Sequence, residues 1–127
     1  MPRSNAGRDW QCGIMGDTAS NGSGTYAPAT WIACTADATT PAATSTTLTG
    51  ELTGGTFARG QGVYSHTTGT ASYTLTKSFT SDRIVTVAKF GVFTASTAGV
   101  MVFETLLDST AALRSGDTFQ IVHTVPI

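Results

Sequence analysis

The chain predicts an all-β fold, an antiparallel β-sandwich of jelly-roll-like type with an irregular N-terminal arm. Three observations lead there. Short runs alternate apolar and polar residues with period two and are rich in Thr, Val and aromatics. Turn clusters bearing Gly, Asp or Ser separate these runs roughly every eight to twelve residues. No stretch sustains the 3.6-residue period of an amphipathic helix.

Two regions follow from this reading: an arm over residues 1–29 and a sandwich body over residues 30–127. The arm carries the breaker clusters NAGRD, GDTASNGSG and YAP around an apolar island from Trp10 to Met15. The body opens with TWIACT, a β-branched and aromatic strand. TADATTPAATSTT is then a long polar loop, and TTLTGELT a weakly alternating strand that stops at Gly54-Gly55. GVYSHT and ASYTLTKSFT form a hairpin about Gly69, with Tyr73, Leu75, Lys77 and Phe79 on one face and Thr74, Thr76 and Ser78 on the other. After the Ser81-Asp82 turn, RIVTVAKFGVFTA makes one strand kinked at Gly91. STAG turns the chain into VMVFETLL. DSTAALRSG has helical propensity for a single turn, and TFQIVHTVPI closes the chain as a strand. The predicted core comprises Trp31, Leu52, Tyr73, Leu75, Phe79, Val85, Val87, Phe90, Val92, Phe103, Leu106, Phe119 and Ile121.

Composition narrows the function classes. A chain of 127 residues fits one core, and 40% hydrophobics with a formal net charge of −1 is not the composition of a disordered tether. Seven Lys and Arg against eight Asp and Glu leave no basic surplus, so nucleic acid is not an expected partner. No run approaches the ~18 apolar residues of a membrane helix. MPRSNAGRDWQCGIMG lacks the apolar stretch of a signal peptide, so synthesis in a cytoplasm is expected. A disulfide between Cys12 and Cys34 would tie the arm to the body; two reduced thiols are the favoured reading for such a product.

Catalytic chemistry is nearly absent from the pattern, and no enzyme activity is expected. His66 and His123 are the two imidazoles, and no G-x-S-x-G elbow surrounds any Ser. His123 alternates in phase with Phe119, Ile121 and Val125, which places it on a sheet face, while His66 sits beside an exposed turn. Cys12, Cys34, His66 and His123 have no ligand spacing, so neither metal nor cofactor is expected. Glu51, Glu104, Asp108 and Asp117 are not arranged as a catalytic pair, and Asp82 and Asp117 read as turn residues. Glu104, in mid-strand, reads first as an outward charge that blunts sheet pairing. The alternative is a salt bridge to Lys77, Arg83 or Lys89.

Several segments in order, TADATTPAATSTTLTGELTGGTFARGQGVYSHTTGTASYTLTKSFTS, VTVAKFGVF and MVFETLLDSTAALRSGDTFQIVHTVPI, resemble small virion structural proteins of tailed bacteriophages. The resemblance spans roughly residues 31–127 and includes an Ala58-Arg59 turn. It implies a structural role with no catalytic residue. Capsid decoration (cement) is the leading reading, because a reading frame from MPRS to VPI suits a small whole protein better than a tail-fibre segment. The alternatives are a tail, baseplate or fibre-associated protein, and a carbohydrate- or host-binding module. The implied partners are the major capsid protein and copies of the chain itself, with trimers first and dimers second, at the capsid surface of the virion. The arm is expected to be mobile in the free protein and to order at such a contact. Trp10, Ile14 and Met15 would anchor it, with Arg3 and Arg8 at the polar rim. Packing of the arm on its own sandwich as an edge strand is the alternative.

Overall fold

Antiparallel pairing organises the chain into two sheets. The structure, a computed structural model, describes residues 4–8 and 28–126. Its strands are β1 (Trp31–Thr35), β2 (Gly60–Gln61), β3 (Val63–Ser65), β4 (Ser72–Thr80), β5 (Val85–Phe93), β6 (Met101–Leu113) and β7 (Thr118–Pro126). One sheet has the order β2-β1-β5-β6 and the other β3-β4-β7. The all-β sandwich expected from the sequence is therefore present.

The two sheets share a strand that switches between them. β2 pairs with β1, β3 pairs with β4, and Gly62 alone separates them. Its amide donates to the Thr30 carbonyl at 2.7 Å. A Cβ at Gly62 would meet Ile32 of one sheet and Leu75 of the other, each at 3.3 Å, so glycine lets the backbone pass between the layers. This crossing closes one side of the sandwich. On the other side β6 and β7 run as separate edges, although only a short turn joins them. That turn is held against the β4–β5 corner, where Ser81 donates to the Asp117 carbonyl at 2.7 Å and Gly116 donates to that of Ser81 at 2.6 Å.

Between the layers lies the main core, with Ile32, Leu75, Phe79, Val92, Phe103 and Ile121 among its buried members. A second, smaller cluster of Ala33, Leu48, Phe93 and Met101, with Trp31 against it, occupies the opposite face of the β1–β5–β6 sheet. Trp31 thus packs outside the sandwich. Gly91 makes room for this cluster, since a Cβ there would meet Phe93 at 3.1 Å and Met101 at 3.2 Å. Gly91 stays in register opposite Glu104, and the register shifts of this pair fall between Val87 and Lys89 and between Val92 and Phe93.

Three further expectations are corrected. TTLTGELT makes no strand beyond an isolated bridge of Glu51 to Thr35. Thr35 Oγ1 instead donates to the carbonyls of Thr49 and Gly50, at 2.7 and 3.1 Å, and Gly50 turns the chain with φ 67°. DSTAALRSG forms no helical turn: β6 continues to Leu113, because Val85, Thr86 and Val87 hold Leu113, Ala112 and Ala111 in antiparallel register. Leu106 is 39% exposed rather than in the core. Pairing of Phe90 with Thr105 and of Lys89 with Leu106 puts Leu106 on the face of Glu104, and Leu107 packs inward in its place.

The layered core gives a direct test by chemical denaturation. Phe79→Ala, which removes a ring stacked 5.9 Å from Phe57, should cost about 3–5 kcal/mol. Ile84→Ser, at a position 87% exposed, should stay within about 0.5 kcal/mol of the parent.

Candidate functional site

The ion pairs of Lys89 with Glu104 and Asp37, and of Arg59 with Glu51, lie on one side of the body. Lys89 lies on the outer face of the β1–β5–β6 sheet, opposite Thr35 of β1 and Leu106 of β6. Its side chain is 2% exposed. The ammonium donates to Glu104 Oε2 at 2.8 Å, to Asp37 Oδ2 at 3.2 Å and to the Thr39 carbonyl at 3.1 Å, so its three protons have three acceptors. Burial alone would push the Lys89 pKa down, but the two carboxylates outweigh it and hold the pKa above its usual value. Hydrogen bonds from Thr39 and then Lys89 hold Asp37 below the usual carboxylate range. Glu104 is therefore buried, and the salt bridge to Lys89 replaces the expected outward charge; its Oε1 has no hydrogen-bond partner among the described residues.

A second cation fastens the far end of the same polar segment. Arg59 Nε donates to Glu51 Oε2 at 2.7 Å and Nη2 to Oε1 at 3.0 Å. Nη1 donates to the carbonyls of Ala95 and Ala98 at 3.1 and 2.7 Å, and the guanidinium lies 3.5 Å from the centre of the Phe93 ring. Ala98 carries a positive φ of 54°, a conformation that this bond helps to hold. Beside the clamp is an open depression of about 290 Å³, lined by Glu51, Thr53, Ala58, Arg59 and Ser96 to Ala98. Most of the guanidinium protons are spent inside the molecule. The depression thus offers hydroxyls and carbonyls to a visitor, with little charge.

Segment 36–53 is consequently a strap lying across the sheet. Lys89 holds its start, Leu48 plugs the smaller cluster, and Arg59 holds Glu51 near its end. Residues 5–8 add a helical turn to the same side. Ser4 is buried; its Oγ donates to the Met101 carbonyl at 3.0 Å and accepts from the Gly7 amide at 2.9 Å, and the Asn5 amide donates to the Ala43 carbonyl at 2.7 Å. This part of the expected arm is attached to its own body as a helical turn. Arg8 is exposed and donates to Asn5 Oδ1 at 3.3 Å. Arg3, Trp10, Cys12, Ile14 and Met15 lie outside the described residues.

The other sheet presents a contrasting face. Registers Val63–Thr76–Val122, Ser65–Thr74–Thr124 and Ser78–Gln120 place hydroxyl, amide and β-branched side chains outward, and none is charged. Val63 and Val122 flank Thr76 there, at 70% and 57% exposure. The inner face of the same strands carries His123, which sits opposite Leu75 and between the rings of Phe90 and Phe103 at 5.3 and 5.0 Å. Burial pushes its pKa down to about 4, and Nε2 has no hydrogen-bond partner among the described residues. His123 is a neutral core residue. His66 is exposed, its Nδ1 2.9 Å from the Ser72 carbonyl. Cys34 is a free, buried thiol pushed up to about 12 by burial, which leaves it unreactive.

Sequence reasoning missed Arg59 and Asp37 as organisers of this side, because Asp37 meets Lys89 and Arg59 meets the Ala95 and Ala98 carbonyls only across long stretches of chain, and no local spacing marks the Arg59–Glu51 pair. Neither a family model nor a curated protein matches the chain.

Two outcomes test the electrostatics. Lys89→Met should cost about 3–5 kcal/mol by leaving Glu104 buried and unpaired, whereas Lys89→Met combined with Glu104→Leu should recover most of that loss in a double-mutant cycle. His123 binds its proton near pH 6.5 in the unfolded chain and near pH 4 in the fold. Between those values the unfolded state holds more protons, so stability is fully present above pH 6.5 and falls as the pH drops toward 4, by roughly 3 kcal/mol. In urea titrations His123→Leu should lose this segment of the pH dependence.

Proposed function

We propose that the chain is a structural protein of a tailed-bacteriophage virion, in the first instance a decoration (cement) protein of the capsid surface. The observation that carries this reading is the two-sided body. One sheet is sealed by a strap tied through Lys89 and Arg59, and the other exposes a face without charge. A subunit that must sit in one orientation among many copies needs such rigid and unlike sides. The resemblance of residues 31–127 to small phage virion proteins supports the same class, and its segments include the strap and the Arg59 turn.

In this role the shell's major protein and further copies of the chain are the partners, and no reaction is performed. Affinity would come from complementarity of a face with few charges, which suits contacts that form in a salty cytoplasm because little of their energy is screened. A tail or baseplate position uses the same fold in fewer copies.

Quantitative mass spectrometry of purified particles tests the assignment. A capsid decoration role predicts on the order of hundreds of copies per particle, following the shell's symmetry. A few copies per particle would transfer the protein to the tail, and absence from particles would overturn the reading.

A further inference from the structure

We infer that β7 is a pairing edge, through which two copies of this chain join their three-stranded sheets into one continuous six-stranded sheet about a twofold axis. The inference deepens the proposed function, since it names the surface by which copies meet. Four edges are available in the described structure, and they differ. β2 has two residues and β3 three, too short to hold a partner strand. β6 is long, but its register against β5 jumps from Leu106 to Ala111 opposite the Lys89–Val87 step, so residues 107–110 bulge. The bulged stretch also carries Asp108. Such an edge is blunted in the way natural sheets avoid pairing.

β7 has none of these defences. All nine of its residues pair with β4 without a register shift, so the strand is regular throughout. Residues 118–126 contain no Lys, Arg, Asp or Glu, and the one Pro falls at the end. The imidazole of His123 faces the core and is uncharged at neutral pH. No strand among those described lies on the far side of β7, which leaves half of its backbone groups directed away from β4.

The occupant follows from matching lengths and charges. A head-to-tail ring would lay β7 against the β3 edge, nine residues against three, and most of the β7 backbone would remain open. Antiparallel pairing of β7 with β7 of a second copy matches nine residues with nine and brings no like charges together. This isologous arrangement favours a twofold dimer over the trimer that the sequence suggested. With the axis near the strand centre, the two Val122 side chains lie close together on the outer face.

Sedimentation velocity on the purified chain, away from any particle, tests this separately from the virion role. The parent should reach twice the monomer mass between micromolar and millimolar concentrations. Val122→Lys, which sets two ammonium groups side by side across the axis, should weaken association by about tenfold or more. Val63→Lys, on the same outer face but at the opposite edge, should leave it unchanged. Both positions are exposed, so at concentrations where the parent is monomeric both variants should keep its thermal midpoint. A parent that stays monomeric throughout the range overturns the inference. So does a dimer insensitive to Val122→Lys, or one weakened equally by Val63→Lys, which would indicate stacking of faces.

Discussion

An ammonium buried on the outside of a sheet organises half of this molecule. Lys89 occupies a position that in an ordinary half-solvated sheet would hold its charge in water. Here it is enclosed, and an enclosed charge must be matched by acceptors that are fixed in place. Glu104 comes from the neighbouring strand, diagonally across from Lys89 because Gly91 stands directly opposite Glu104. Asp37 and the Thr39 carbonyl come from the chain just beyond β1. Satisfying one cation therefore draws β1, β5, β6 and the strap into a single arrangement. Strap placement then decides which face of the body is closed.

Energetically the strap resembles a stapled loop more than a strand. It has one bridge to β1 and one backbone bond from Asn5 to the Ala43 carbonyl, and its other ties are side-chain bonds from Thr35, Lys89 and Arg59 together with the Leu48 plug. Bonds to ionised partners are about twice as strong as neutral ones, which lets a few of them order a polar segment that buries little apolar area. Conformational entropy lost by ordering eighteen Thr- and Ala-rich residues is the opposing cost. The same economy explains why the opposite sheet can remain plain. Its stability comes from Leu75, Phe79, Ile121 and Val125 on the inner side, and the outer side is free to serve contact.

Much of this architecture was legible in the sequence, and the legible parts share a cause. Period-two alternation in ASYTLTKSFT and TFQIVHTVPI survives because each strand has one face in the core and one outside. The signal fails in β5 and β6, where both faces are covered: VAKFGVF and MVFE are buried almost throughout, so alternation disappears. Without alternation Leu106 looks like a core position, and Glu104 looks exposed because the segment that covers it comes from far away in the chain. Arg59 and Asp37 look like ordinary surface charges until the fold brings their partners into place. Ser4 gives no sign of its bond to Met101, 97 residues along the chain.

The central claim is that segment 36–53 is part of the folded body and is held there by the enclosed Lys89. Native-state hydrogen exchange reads this residue by residue. The amides of Asp37 and Leu52, which donate to Thr35 Oγ1 at 3.1 Å and the Cys34 carbonyl at 2.8 Å, should exchange only through large-scale unfolding. Amides in the exposed 67–70 turn should exchange orders of magnitude faster. If Asp37 and Leu52 instead exchange as fast as that turn while β5 stays protected, the strap is a tether and the account of a sealed face is wrong.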